Sequence, residues 1–353
     1  MKTKKTKQNR RIGVVGVPGS WSSEELANAV EAATGFRLLI DMARVRFDLT
    51  DGRAFYDGVE LTTLDALVVK KVGPVYSPDL IDRLELLRFL NERGLPIFSR
   101  PGHTLRLLDR LACTVTLAAH DIPMPETVVT EDRDEARAAV ARFGKAVFKP
   151  LFSTKARGMT VIPDGPAAPT GIATFLAAGN RVMYIQKLIS IPGKDLGVVF
   201  MGGEYYATYA RRGSGGSWNT TTANGGKYEP YDPPKEIIEL ARRAQAPFGL
   251  DFTCVDVVET DDGPKVFEVS AFGGFRGLRD GNGKDAAADY TAAVVRDRDE
   301  DGVHLGEDES RAAALRGCLG VVDGGQLHAD AHGACPHRGE RHAAAAAAAA
   351  AGV

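Results

Sequence analysis

Residues 253–271 read TCVDVVETDDGPKVFEVSA, and two apolar runs within them, Thr253–Val258 and Lys265–Val269, flank a turn through Asp261-Asp262-Gly263-Pro264. Strand-forming residues on both sides of a Gly-Pro turn predict a β-hairpin. A hairpin symmetric about Asp262 sets Asp256 directly opposite Glu268. Facing residues of an antiparallel pair have Cβ atoms about 4.5–5.5 Å apart, and like charges there repel. Val255, Val257, Phe267 and Val269 are apolar, so the two carboxylates interrupt a buried sheet. A divalent cation between them turns repulsion into attraction, and hard oxygen ligands suit Mg²⁺. The competing reading turns Asp256 outward and pairs Glu268 with a lysine.

Upstream of the hairpin the chain is also β-rich. Gly197–Met201 and Tyr205–Tyr209 predict a hairpin around Gly202-Gly203, ending in Arg211-Arg212. Adjacent arginines at a strand end can clamp phosphoryl or carboxylate oxygens, although strand neighbours point to opposite faces and one of the pair is ordinarily surface charge. A loop rich in Gly, Ser, Thr and Asn follows at Gly213–Gly226, with Trp218, Asn219 and Asn224, and then a helix over Pro234–Ala244. Further back, the strand Ala146–Lys149 ends in a lysine before the small-residue loop Ser153-Thr154-Lys155-Ala156-Arg157-Gly158. Such a loop offers backbone N–H groups and fixed positive charge to phosphate. Taken alone, a solvated strand-end lysine is the better reading. The loop lacks the GxxxxGK[ST] spacing, and Gly13-Val14-Val15-Gly16 lacks that of GxGxxG.

At the N-terminal side, strands at 12–17, 37–40, 66–69 and 96–98 alternate with helices, notably over 78–93, which argues for a small open α/β domain. One helix over about 104–120 follows. After residue 296 periodicity is lost, and the remainder holds acidic runs, five of the seven histidines and the alanine run Ala343–Ala351. Cys335-Pro336-His337 lacks the ligand spacing of a closed zinc site.

Lys149 and its loop, Gln186-Lys187-Leu188-Ile189, Lys194-Asp195, Arg211-Arg212, Asp256 and Glu268-Val269-Ser270 follow one another in an order that resembles the ATP-grasp superfamily, in its RimK-like branch. The run Phe267–Gly277 looks closest to the ATP-grasp group named for the GAK gene system. The resemblance covers about 104–290. It implies a mixed α/β and α+β architecture: an ATP-grasp fold with a preceding small open α/β domain, a flexible lid and a C-terminal antiparallel β-rich domain. The expected divisions are a basic disordered leader (1–11), the α/β domain (12–99), a central helix and lid subdomain (100–186), a C-terminal subdomain with the metal site (187–296) and a disordered tail (297–353).

The same resemblance implies an ATP-dependent carboxylate–amine ligase working through an acyl phosphate. Its cofactors are ATP and one or two Mg²⁺, with Mn²⁺ as a substitute. Lys149 and Arg110 are expected at the nucleotide phosphates, Arg157 and Gly158 in the lid, Gln186, Lys187, Leu188 and Ile189 at the adenine edge and Asp195 near the ribose. Arg211 is expected at the transferred phosphoryl group, Asp256, Glu268 and Ser270 at the metal, and Arg276 and Asn224 at the substrate. The chain departs from the family pattern in places. Ser270 stands where the family often has Asn, Ser153 and Ala156 replace two customary lid glycines, Thr221 replaces a loop Asn, and Arg110 replaces a Lys. A nucleotide-binding module without turnover, an RNA-associated nucleotide-dependent enzyme and a phosphotransferase remain open beside the ligase.

The 353 residues, 44% hydrophobic and 25% charged, are those of an ordinary globular protein. A net charge of −2 points to neither nucleic acid nor membrane as partner. No stretch approaches the roughly 18 apolar residues of a membrane helix, and four widely spaced cysteines form no CxxC pair. A cytoplasmic enzyme acting on a small-molecule, peptide or protein carboxylate and an amine is the expectation. Homo-oligomerisation is left open.

Overall fold

The computed structural model describes residues 10–191, 193–213 and 226–300, of Glu300 the backbone only. The loop carrying Trp218, Asn219, Thr221 and Asn224, and the segment with Cys335-Pro336-His337, lie outside the described residues.

Four short strands make a parallel sheet: β1 (Ile12–Val15), β2 (Leu39–Ile40), β6 (Ala66–Val69) and β7 (Ile97–Phe98), in the order β2-β1-β6-β7. Parallel neighbours need crossovers, which α1 (Trp21–Thr34) and α2 (Asp79–Glu92) supply. Gly35 ends α1 at φ 82°, a left-handed turn that returns its N–H to Glu31 O. Between β2 and β6 the chain makes a small antiparallel meander that the strand–helix alternation had not indicated: β3 (Arg46–Asp48), β4 (Arg53–Tyr56) and β5 (Val59–Glu60). Its strands are too short to show period-2 alternation.

The single helix expected over 104–120 is two, α3 (Pro101–Leu108) and α4 (Arg110–Ala119). Asp109 breaks it. That residue is extended (φ −96°, ψ 123°), and its carboxylate accepts the Leu111 N–H, so it caps α4 instead of continuing α3.

An antiparallel sheet, order β10-β9-β11-β8, is built from β8 (Thr127–Thr130), β9 (Lys145–Lys149), β10 (Thr160–Pro163) and β11 (Met183–Lys187). The helices α5 (Arg133–Phe143) and α6 (Ala168–Ala177) cover it, with Val140, Phe148, Phe175 and Ile185 in the core between. Residues 150–159 link β9 to β10.

A five-stranded antiparallel sheet, order β14-β13-β12-β15-β16, takes in β12 (Lys194–Met201), β13 (Glu204–Arg212), β14 (Lys227–Pro230), β15 (Phe252–Val258) and β16 (Lys265–Ser270). The Gly202-Gly203 turn is where expected, and both residues have positive φ, as a two-residue hairpin loop requires. The strands run further than expected, and that extension pairs Asp195 with Arg211. On one face α7 (Lys235–Gln245) packs through Ile237, Leu240 and Ala244. On the other, α8 (Phe275–Asn282) and α9 (Ala286–Glu300) share a core with α1 and the parallel sheet through Leu26, Val68, Phe252, Phe275 and Tyr290. Helix α9 continues beyond the expected boundary at 296. Arg10, expected in the leader, donates to Arg298 O and Asp299 Oδ1 and so ties the two ends of this core together. Among the described residues, no helix is long and apolar enough to cross a membrane.

Candidate active site

Strand β15 sets Asp256 across from Glu268 on β16, the pairing that the hairpin symmetry predicted. The route differs. Val257 faces Val266 and Val258 faces Lys265, so the inner rungs are one residue out of the predicted register. A β-bulge after Val266 leaves Phe267 without a rung partner and brings Glu268 opposite Asp256. Ser270 follows on the Glu268 face, opposite Cys254.

Each carboxylate has an arginine. Arg211 Nη2 lies 3.0 Å from Asp256 Oδ2, and the same guanidinium holds Asp195, its cross-strand partner, through Nε (3.2 Å) and Nη2. On the other side Arg110 Nη1 donates to Glu268 Oε2 at 2.9 Å. Burial, with Glu268 and Asp195 nearby, holds the Asp256 carboxyl above its usual range against the pull of Arg211. Two facing carboxylates and a hydroxyl on one sheet face are hard oxygen donors. This donor set fits Mg²⁺, which is commonly held by one or two carboxylates together with substrate phosphates.

Lys149, at the end of β9, is buried. Its Nζ donates to Gln186 Oε1 at 2.5 Å and lies 5.5 Å from the centre of the Phe267 ring. Burial, and then Arg110, push the ammonium down to about 7, with Glu268 opposing. Gln186 is fixed from behind, since its Nε2 donates to Thr127 Oγ1 (3.0 Å) and Tyr184 Oη (3.2 Å). Its side chain therefore orients Lys149. At the hinge, sheet pairing takes the Lys187 N–H (to Glu126 O, 2.8 Å) and the Leu188 N–H (to Lys145 O, 3.0 Å), and the Lys187 ammonium pairs with Glu126 at 2.6 Å.

Arg110 also stitches the root of the lid. Its backbone N–H donates to Leu151 O at 3.1 Å, and its guanidinium reaches Pro150 O (3.3 Å) and Ser153 O (3.4 Å). Within the lid, Lys155 and Ala156 both sit at φ 57°, left-handed backbone in residues that carry a Cβ. Arg157 is exposed.

One cavity of about 620 Å³ is lined by Arg110, Lys149, Arg157, Gln186, Lys187, Leu188, Ile189, Asp195, Arg211, Asp256, Glu268, Ser270 and Arg276. Gly158 lies next to the lining but not in it, with φ 70° and Pro150 Cγ 3.0 Å from where a Cβ would stand. Asn224 is outside the described residues.

Sequence reasoning missed several groups here. Tyr209 is clamped between Gly197 and Gly277, where an added Cβ would come within 2.3 Å of its ring. Cys254 is buried beside it, its thiol pushed up to about 12 by burial. Lys70 and Lys71 follow β6; Lys70 is buried against residues 272–275, while Lys71 lines the cavity. Two lysines closing an apolar strand were the available signal.

Residues 108–294 match the RimK-like ATP-grasp domain family. The tetrahydromethanopterin:alpha-L-glutamate ligase of Methanosarcina acetivorans is 26% identical over 267 residues, 71% of this chain and 82% of that protein. The probable alpha-L-glutamate ligase of Teredinibacter turnerae is 25% identical over 76% of this chain and 90% of its own length. Among solved structures, the ATP-grasp ligase PsnB, complexed with a phosphomimetic variant of its minimal precursor, Mg and ADP, superposes with a TM-score of 0.65 at 18% identity, covering 82% of this chain and 99% of that one. A RimK domain ATP-grasp protein of Sphaerobacter thermophilus gives 0.63 at 24% identity, over 80% and 98%.

Proposed function

The chain belongs to the RimK-like ATP-grasp family and is an ATP-dependent carboxylate–amine ligase; we propose that the cavity between the lid and the five-stranded sheet is where it activates the carboxylate. The observation that carries this reading is the in-register pairing of Asp256 with Glu268 in the same cavity as Lys149.

ATP enters with its base toward the hinge. The amides of Lys187 and Leu188 already serve the sheet, so the next one along, that of Ile189, is assigned to the adenine edge. Lys149, aimed by Gln186, and Arg110 counter the phosphate charge, and Arg157 and Gly158 belong to the lid above it. Asp256, Glu268 and Ser270 would hold one or two Mg²⁺, with Mn²⁺ as a substitute. The metal, when bound, neutralises charge on the phosphate oxygens. Arg211 meets the transferred phosphoryl group. Asp195, expected near the ribose, is a buried partner of Arg211, and we assign it to holding that guanidinium in place.

The substrate carboxylate attacks the γ-phosphorus, giving an acyl phosphate and ADP. The amine then adds to the acyl carbon and expels phosphate, forming the amide. The protein's part is positioning and charge stabilisation, together with exclusion of the water that would hydrolyse the acyl phosphate. Because the relatives above are named as glutamate ligases and the PsnB structure holds a precursor peptide, we propose a small-molecule or peptide carboxylate with glutamate or another amino acid as amine. Buried free thiols at Cys113 and Cys254 suit a reducing, cytoplasmic setting.

The test is ADP release on incubation with ATP, Mg²⁺, glutamate and a panel of carboxylates and peptides, with the adduct read by mass spectrometry. Glu268→Gln should reduce turnover at least about a hundredfold, in line with the loss of a charge-stabilising group. Full turnover by this variant would remove the metal assignment, and ADP release without an amide product would make the enzyme a phosphotransferase.

A further inference from the structure

Phe272 lies just past the end of β16, and its side chain packs against two cores at once, that of the five-stranded sheet with α7 and that around the parallel sheet with α2. The segment that follows β6 holds it at two points. Lys70 is 2% exposed, and its Nζ donates to Phe272 O at 2.9 Å and to Gly273 O at 3.3 Å. Tyr76 meets the Phe272 ring edge-on, with 6.3 Å between ring centres. A buried amine left without acceptors is costly, so the two carbonyls are kept where Lys70 can reach them.

The same two residues close around the Ser270 hydroxyl. Its Oγ accepts the Phe272 N–H at 3.4 Å, and a Cβ on Gly273 would stand 3.2 Å from that oxygen and 3.4 Å from Cys254 Cβ. Ser270 is a neutral donor beside Asp256 and Glu268. Without net charge to attract an ion, it contributes only when it is correctly aimed. We propose that Lys70 is a positioning residue for the metal site: by pinning the carbonyls of Phe272 and Gly273 it sets where the turn after β16 leaves the Ser270 hydroxyl. A side chain at the end of the parallel sheet then tunes Mg²⁺ binding without touching the ion. This inference rests on the metal assignment made above, and it adds what holds one of the ligands.

The experiment reads binding, not turnover: titration calorimetry of the full chain with ADP at a series of Mg²⁺ concentrations, and again in EDTA. Ser270→Ala should raise the half-saturating Mg²⁺ about tenfold and Lys70→Met about fivefold, while ADP affinity in EDTA stays within about twofold of the parent in both. Lys70→Arg keeps N–H donors for both carbonyls and should keep the parent requirement. The double variant should need no more Mg²⁺ than Ser270→Ala alone, because a residue acting through the hydroxyl has nothing to act on once it is gone. Gly273→Ala approaches from the other side, since its methyl crowds Ser270 Oγ with Lys70 intact, and it should raise the Mg²⁺ requirement even if Lys70→Met does not fold. An unchanged requirement in Lys70→Met or in Gly273→Ala, or additive losses in the double variant, overturns the proposal. So does an equal loss of ADP binding with and without Mg²⁺ in Lys70→Met, which would make Lys70 a general support of the fold. The metal assignment fails separately: Ser270→Ala with the parent requirement takes Ser270 off the metal and this role of Lys70 with it, whereas a shift in Ser270→Ala alone leaves the ligand and removes only Lys70.

Discussion

Arg110 joins the β15–β16 hairpin to the lid, because one guanidinium reaches Glu268 and the carbonyls of Pro150 and Ser153. A lysine keeps the charge but presents a single ammonium and no planar fork. Arg110→Lys should therefore hold Glu268 while releasing the lid carbonyls. The expected result is faster amide exchange over 150–158 and a turnover lowered about tenfold, with a nearly unchanged melting temperature. Parent-like protection of the lid would show that the fork is not used. Lys149 makes a second prediction at this scale. Free, it loses its proton near pH 7, against an ordinary value of 10.5. Bound phosphates favour the ammonium and raise that pKa again, so nucleotide binding above pH 7 takes up a proton. Affinity for MgADP should then fall as pH rises from about 7 to 9, and calorimetry in buffers of different ionisation enthalpy should report the uptake. A Lys149→Met variant with the same proton uptake would assign it to another group. The partners of Lys149 illustrate what a single residue conceals: a strand-end lysine is visible in the sequence, but Gln186, the side chain that aims it, lies 37 positions away and was assigned only a backbone role.

At the scale of elements, the hairpin was legible and its irregularity was not. Alternation and turn chemistry located β15 and β16, and a symmetric loop predicted Asp256 opposite Glu268. The bulge at Phe267 depends on how the sheet packs, and apolar pattern alone does not distinguish a bulge from a one-residue shift of the turn. The same limit applies to β12 and β13, whose polar ends Lys194-Asp195 and Arg211-Arg212 look like loop yet pair in register: Asp195 meets Arg211, while Lys194 and Arg212, which face each other, are compensated by Glu259 and Glu229. Helix α3 and helix α4 merged in the sequence because the periodic apolar positions continue through Asp109, while the cap that separates them is a local hydrogen bond. The lid carries this scale's prediction. A left-handed conformation in a residue with a Cβ costs about 1–2 kcal/mol, more than the flexibility a glycine adds to the unfolded chain. Ala156→Gly, which restores a residue customary in the family's lids, should leave stability unchanged or raise it by up to about 1 kcal/mol. Measured destabilisation by chemical denaturation would mean that Ala156 is not held at positive φ in solution.

For the whole molecule, the question is what fastens the parallel sheet to the five-stranded one beside the site. Apolar residues of α1, α8 and α9 share one core with the two sheets, and Lys70 adds a polar rivet. Its Nζ donates to Phe272 O (2.9 Å) and Gly273 O (3.3 Å), just past the end of β16, and lies 3.8 Å from the Phe275 ring centre. The aromatic face favours the cation, yet burial outweighs it and pushes the group down to about 7, with Lys71 adding to the effect. A neutral amine has two N–H donors, enough for both carbonyls. The consequence for stability has a definite sign. Below pH 7 the lysine is charged in both the folded and the unfolded chain, and the folded one bears the full burden of a buried ammonium. Between about 7 and 10.5 the unfolded chain alone holds the proton, so stability rises with pH. Raised tyrosine and cysteine pKa values act in the opposite direction near pH 9, so the comparison belongs at 7 to 8.5, where Lys149 adds the same slope to parent and variant and cancels from their difference. Over that window Lys70→Met should flatten the pH dependence of the unfolding free energy by about 1.4 kcal/mol per pH unit, the contribution of one proton. Denaturant melts of the parent and the variant at several pH values measure the difference directly. Parallel slopes would mean that Lys70 stays an ammonium at the junction of the two sheets, charged against the ring and the two carbonyls that surround it.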